Sequence, residues 1–275
     1  MTADAPRERD LRRVDEAEAA AFRDMCRAAP SEFVHGSGLR CLDAGGATLV
    51  VAPGLPTTMF NRAIGLGVHR PAAEADLESV ISEFRSAGSS NYWVHLNPGS
   101  SPPQIGAWLE ARGFEPARRR SWAKVVFDGA RAPDTQTSLD IREVGVEHAD
   151  ELAAVLAAAF EMPPAFASWF RALVGRPNWH AVGGFDGKAL VCGGFLYRER
   201  DFGWLGIGGT RTESRGRGGQ RAVMALRMRI ALGHGARWIA TETGEPIDGE
   251  SNPSLANMYR CGFRHVCSRL NYEPG

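Results

Sequence analysis

Apolar positions along the chain fall into alternating and helical stretches, and the order of these stretches is repeated. Gly46 to Ala52 and Thr57 to Leu66 read as strands, and Ala73 to Ser86 carries the 3- and 4-residue spacing of an amphipathic helix. Trp108-Leu-Glu-Ala-Arg-Gly113-Phe114 closes a short helical stretch on Gly-Phe, and the apolar strand residues Trp122 to Phe127 follow. Gly129 to Ser138 is polar and turn-prone without apolar periodicity, which makes it the linker candidate. Beyond it, Asp140 to Val146 reads as a strand. His148 to Phe160 and Pro164 to Val174 read as helices, and Trp179–Phe185, Ala189–Tyr197 and Trp204–Thr210 as strands. A helix over Gly219–Gly233 has its inward stripe at Val223, Leu226 and Ile230. A strand over Arg237–Thr243 and a short helix ending on Gly262-Phe263 complete the order.

The richest segment lies between the strand ending at Thr210 and the helix at Gln220: Arg215-Gly216-Arg217-Gly218-Gly219. A strand, a glycine loop and a helix N-terminus together form an anion cradle, because free backbone N–H groups converge where the helix dipole is positive. Glycine leaves the backbone open to close approach by a phosphate. The chain contains no G-x-x-x-x-G-K-[ST] and no early G-x-G-x-x-G, so neither common nucleotide loop is present.

The loop resembles the pyrophosphate loop of the GCN5-related N-acetyltransferases, R/Q-x-x-G-x-G/A, with Arg215, Gly218 and Gln220 on its pattern positions. Gln220 departs from the small residue expected there. A second resemblance is Asn252-Pro-Ser-Leu-Ala-Asn257-Met258-Tyr259-Arg-Cys-Gly262-Phe263. In this family an Asn and a Tyr precede a terminal Gly-Phe. The family's Tyr stands four residues before that Gly, where this chain has Met258; Tyr259 is rotated from it by about 100° of helix.

The resemblance implies an α/β (α+β) protein of two tandem acetyltransferase-like domains, each a mixed, mostly antiparallel twisted sheet flanked by helices. Residues 1–130 would form a degenerate copy, since Gly67-Val-His-Arg70-Pro71 stands where the cradle belongs and Pro71 removes an N–H. That copy could close over the acceptor site, bind a partner or stabilise its twin. Residues 138–275 would form the catalytic domain, with acetyl-CoA as cosubstrate. Its pyrophosphate would rest on Arg215, Gly216, Arg217, Gly218, Gly219 and Gln220. Its pantetheine arm would follow Gly208, Gly209 and Thr210, and Asn252 and Asn257 either contact it or cap and face the short helix. Glycines at 206, 208 and 209 also fit a bulged strand.

Acyl transfer to an amine needs a proton acceptor, an oxyanion donor and an acid for the thiolate. The expected residues are Glu242 as base, the backbone from Gly208 to Thr210 as donor, and Tyr259 as acid. Glu242, Glu245, Asp248 and Glu250 form an acidic rim that favours a cationic acceptor, a small molecule or a peptide amine, or simply face solvent. The reading from a different class is an acyl-CoA-binding sensor or pseudoenzyme, motivated by the Tyr259 offset.

Charge adds exclusions. The 32 basic and 32 acidic residues cancel, so no global field draws the chain to nucleic acid or anionic membrane. Arg118-Arg119-Arg120 reads as a solvated turn between strands. Five cysteines without C-x-x-C spacing read as reduced thiols of a cytoplasmic protein, and the scattered histidines imply no metal site. No signal peptide and no apolar run near 18 residues is expected, which argues against a membrane span. The oligomeric state has no sequence signature.

Overall fold

A computed structural model describes residues 8–247 and 250–275, with the side chains of residues 118–120 left aside. Asp248 and the Arg118–Arg120 side chains therefore lie outside the described residues. The first half contains α1 (Glu8–Arg27), α2 (Ser31–Ser37), β1 (Arg40–Ala44), β2 (Ala47–Val51), β3 (Arg62–Ile64), α3 (Glu74–Ser86), β4 (Trp93–Leu96), α4 (Ile105–Glu110) and β5 (Phe114–Phe127). The second contains β6 (Asp140–Glu143), α5 (Ala149–Ala159), α6 (Ala165–Arg171), β7 (Trp179–Asp186), β8 (Ala189–Glu199), β9 (Phe202–Thr210), α7 (Gly219–Gly233), β10 (Trp238–Gly244), α8 (Pro253–Arg260) and β11 (Arg264–Pro274).

The strands form one twisted sheet in the order β1-β2-β3-β4-β11-β5-β10-β9-β8-β7-β6. Pairing is antiparallel except for β3 with β4 and β10 with β9. The run β3-α3-β4-α4-β5 repeats β9-α7-β10-α8-β11, so the duplication is visible in three dimensions. The last strands of the two halves are exchanged: β11 pairs with β4, and β5 pairs with β10, while β5 and β11 pair with each other. Backbone hydrogen bonding thus runs unbroken from one half into the other.

Two expectations change here. Arg118–Arg120 belong to the continuous strand β5, not to a turn. Thr57–Leu66 opens with a 3-10 turn at Thr58–Phe60 and keeps only Arg62–Ile64 as strand.

Helix α1 has no counterpart in the sequence reading. It buries Val14, Ala17, Ala21, Phe22 and Met25, and on the same stripe Asp15 and Glu18. Phe22, Phe60, Phe166, Trp169 and Trp204 join one core that spans both halves on this face of the sheet. On the opposite face Leu205, Met224, Met228, Ile239 and Met258 pack β9 and β10 against α7 and α8.

Candidate functional site

Strands β9 and β10 run parallel only as far as Leu205 and Thr241, whose Oγ1 donates to the Leu205 carbonyl at 2.7 Å. Beyond that vertex they part. The cause lies in β9, where three residue steps from Gly206 to Gly209 face two steps from Phe195 to Gly193 on β8. This bulge bends the strand away from its neighbour. Ile207 within it has φ +49°, a costly conformation for a β-branched residue. Arg227 of α7 braces the bulge, donating from Nη1 to the carbonyls of Phe195 at 2.9 Å and Gly206 at 3.4 Å. Burial pushes this guanidinium down to about 10. Added Cβ atoms at Gly206 and Gly209 would strike the Trp204 ring and Ala159, so these glycines also serve packing.

The loop after β9 forms the cradle. Gly218 is the N-cap of α7 with φ +79°, and a Cβ there would lie 2.5 Å from the Gln136 carbonyl oxygen. A cavity of about 710 Å³ opens over it, lined by Arg215, Gly216, Gly218, Gly219 and Gln220, and by Gly208, Gly209 and Thr210. Asn252 and Asn257 also line it. The sequence reading missed Arg221 and Arg260, which add two cations to this wall. Their signal was available only as helix phase: each sits one turn or less from a residue already singled out.

Arg217 stands apart. Its guanidinium grips Asp186 at 2.5 and 3.1 Å and Ser138 at 3.1 Å, and it lines neither the cradle nor the cavity described next. Gln220 has a defined task. Its amide donates to Ser254 at 2.9 Å and accepts from Asn257 at 2.8 Å, tying α7 to α8. Asn252 caps α8 by accepting from the Leu255 N–H at 3.0 Å, and its amide nitrogen reaches Thr243 and the Gly244 carbonyl at the end of β10.

A second cavity, about 510 Å³, sits at the vertex and shares Gly208, Gly209, Gln220, Thr243 and Asn252 with the cradle, so the two form one crevice. Met258, buried on α8, lines this cavity. Tyr259 lines neither cavity and is 44% exposed. The structure therefore does not bring its hydroxyl to the vertex, because the one-residue offset turns it outward. Burial and the charge of Glu245 push that hydroxyl up.

Glu242 does line the vertex cavity, but its carboxylate is in cationic company. Lys124 donates to Oε2, Arg62 reaches Oε1 at 3.3 Å, and Arg269 lies 3.6 Å from Oε2. Glu18 of α1 completes the cluster, bound by Arg62 and Lys124 at 2.6 Å each and by Arg269. Asp15 accepts from Arg269 at 2.9 Å. Burial raises the Glu18 carboxyl, yet the charges of Arg269, Lys124 and Arg62 outweigh it and hold the group well below its usual range. Lys124 is pushed down to about 8, first by burial and then by Arg269, against the opposing pull of Glu18. Five elements, α1, β3, β5, β10 and β11, meet in this cluster.

Among the described residues no group of three or more His, Cys, Asp or Glu could hold a metal, and no helix is long and apolar enough to cross a membrane.

No protein-family model and no curated relative matches the chain. Solved structures do. A GCN5-related N-acetyltransferase from Kribbella flavida superposes with a TM-score of 0.65 at 15% identity, covering 96% of each chain. One from Sphaerobacter thermophilus gives 0.59 at 16% identity over 98% of this chain and 93% of that one. A tandem GNAT protein from the clavulanic acid biosynthesis pathway gives 0.58 at 17% identity, covering 84% and 79%. The chain has the tandem GCN5-related N-acetyltransferase fold. At these identities the likeness is one of fold, and the bulged split between β9 and β10, the glycine cradle and the helix α8 are this chain's own versions of its parts.

Proposed function

We propose that the protein is an acyl-CoA-dependent N-acyltransferase, with acetyl as the simplest acyl group and a primary amine as acceptor. The observation that carries this reading is the single crevice joining an anion cradle to a split in the sheet. The first-turn amides of α7 have no intrahelical partners and would receive the pyrophosphate, helped by Arg215, Arg221 and Arg260. The β9 backbone from Gly208 to Thr210 would pair with the pantetheine arm and place the thioester at the vertex. One of its N–H groups would receive the developing oxyanion.

The neutral amine attacks the thioester carbonyl, a C–N bond forms, the C–S bond breaks, and one of the two amine protons passes to the departing sulfur, so that coenzyme A leaves as the thiol. One proton must leave the ammonium. Glu242 is the carboxylate on the wall, and three cations surround it. Lys124 directly behind it is the group that changes protonation near neutrality. We assign the amine proton to this pair, passed by Glu242 and held on Lys124 Nζ. The other charged or titratable groups facing the pair are Asp15, Glu18, Arg62, Arg269, His95 and Cys267, whose thiol lies opposite Lys124 on β11 and is pushed up to about 12 by burial. The His95 ring is held neutral, its range pushed well down by burial and by Arg269 and Arg62.

Met258 at the vertex favours a second reading, an acyl-CoA sensor without turnover, because no acid side chain takes the thiolate there. Thiol release in the presence of acetyl-CoA and an amine panel separates the two. Saturable acetyl-CoA binding without any amine-dependent thiol release would leave the sensor. No acetyl-CoA binding would overturn both.

A further inference from the structure

The vertex cavity has walls from both faces of the sheet. Val223, Met224 and Met258 belong to the α7–α8 face. The opposite end is walled by Phe22 of α1, Met59, Phe60, Trp122 and Trp204, with Arg62 and Glu242 between them. None of these residues lines the cradle, so this end remains for the acceptor. Four of the seven come from the 3-10 turn, α1 or β3 of the first half, and a fifth from its exchanged strand β5. The half without a cradle therefore builds most of the acceptor wall.

The chamber is aromatic, and its charge is already balanced. Arg62 stacks on the Phe22 and Trp122 rings at 4.9 and 5.0 Å while bound to Glu18 and Glu242. Asp15, Glu18 and Glu242 are matched by Arg62, Lys124 and Arg269. When Lys124 is neutral and ready to accept the proton, the cluster carries one net negative charge, which compensates one entering ammonium, and each additional buried cation is desolvated without compensation. Glu245 and Glu250, on the segment after β10, also line the cavity, and the Glu245 carboxylate already accepts from the Ser121 and Ser268 hydroxyls. The same apolar walls disfavour the charged form of one entering amine and so generate the nucleophile.

We infer that the acceptor is a primary amine with a single nitrogen charge on an aromatic body, an arylalkylamine, bound between the two halves. Polyamines, aminoglycosides and lysine-rich peptides carry further charges that the inner cluster does not match. This rests on the acyltransferase reading above and gives the first half the task of acceptor recognition.

The test is thiol release at saturating acetyl-CoA with 2-phenylethylamine, spermidine, kanamycin and a lysine-bearing peptide, alongside calorimetric titration with acetyl-CoA. The expected result is a kcat/KM for 2-phenylethylamine at least about 100-fold above that for spermidine. Met59→Trp, which fills the chamber, should lower kcat/KM for 2-phenylethylamine about tenfold or more while the acetyl-CoA Kd stays within about twofold. Met59→Phe provides the milder version should the larger ring prevent folding. Spermidine, kanamycin or the peptide equalling 2-phenylethylamine would overturn the inference, as would acetyl-CoA binding with no arylalkylamine turnover. Failure of acetyl-CoA to bind would instead overturn the acyltransferase reading beneath it.

Discussion

Gly218 and Gly216 share a loop and a left-handed backbone, yet the structure separates the effects of changing them. Both have φ near +80°, a conformation that costs a non-glycine residue roughly 1–2 kcal/mol. Around Gly216 a Cβ would meet nothing within 4 Å. At Gly218 it would lie 2.5 Å from the Gln136 carbonyl oxygen and 3.7 Å from Thr137 Cβ. That backbone oxygen cannot swing aside, because the neighbouring Thr137 hydroxyl donates to the Arg217 carbonyl at 2.8 Å and stitches the linker to the loop. Gly216→Ala should therefore cost about 1–2 kcal/mol of stability and change acetyl-CoA affinity by less than about threefold. Gly218→Ala adds the clash and should cost about 3 kcal/mol in all. Because the displaced residue is the N-cap of α7, the first-turn amides move with it, and affinity should fall by about tenfold or more. Chemical denaturation gives the first quantity and calorimetric titration the second. Equal losses of affinity in the two variants, or wild-type binding by Gly218→Ala, would refute the cradle as the pyrophosphate site.

Four further outcomes follow from the charged groups. Arg217→Ala should leave acetyl-CoA affinity nearly unchanged, whereas Arg215→Ala and Arg260→Ala should weaken it about fivefold each at low salt and less at high salt; a reversed ranking would redraw the cradle. The profile of kcat should rise with pH and level off above about 8, where Lys124 releases its proton. Lys124→Arg keeps the charge at all these values and should abolish the rise; a rise that persists unaltered in that variant removes Lys124 from proton transfer. Lys124→Met leaves Glu18 and Glu242 short of a buried cation and should destabilise the fold by about 3–5 kcal/mol in urea, and an unchanged midpoint would show the cluster to be dispensable.

The fourth concerns acid. The folded range of His95 lies well below 6.5, so below that value the unfolded chain binds a proton that the folded one refuses, and stability must decline as pH falls. Its slope should be about 1.4 kcal/mol per pH unit below 6.5, in a window above the one where Glu18 contributes. Denaturation midpoints that are flat from pH 7.5 to 5.5 would contradict this.

Local chemistry was readable from the chain. Gly216 and Gly218 need positive φ, Asn252-Pro253 starts a helix, and Val223 and Ile230 repeat at helical spacing; each demand is met within a few residues, so order and spacing suffice to express it. The glycine loop and the duplicated element order follow from such demands, and the fold class came from the resemblance that the loop and the Gly262-Phe263 helix carry. The offset of Tyr259 was also visible as spacing, and the fold converts it into an exposed ring and a Met258 at the vertex.

Other features depend on partners distant in sequence. Helix α1 was invisible because its buried stripe carries Asp15 and Glu18, which violate the apolar pattern until Arg62, Lys124 and Arg269 arrive from three strands. The exchange of β5 and β11 has no local signature, since either partner offers the same backbone ladder and only the packing of both halves selects one. Glu242 reads in sequence as a strand-end carboxylate, and only the assembled sheet surrounds it with cations. What the sequence determined by itself was backbone conformation and helical phase, which are set by neighbours along the chain. What the tertiary structure decided was the environment of each charge, because desolvation and Coulomb energy depend on everything brought within a few ångströms by the fold.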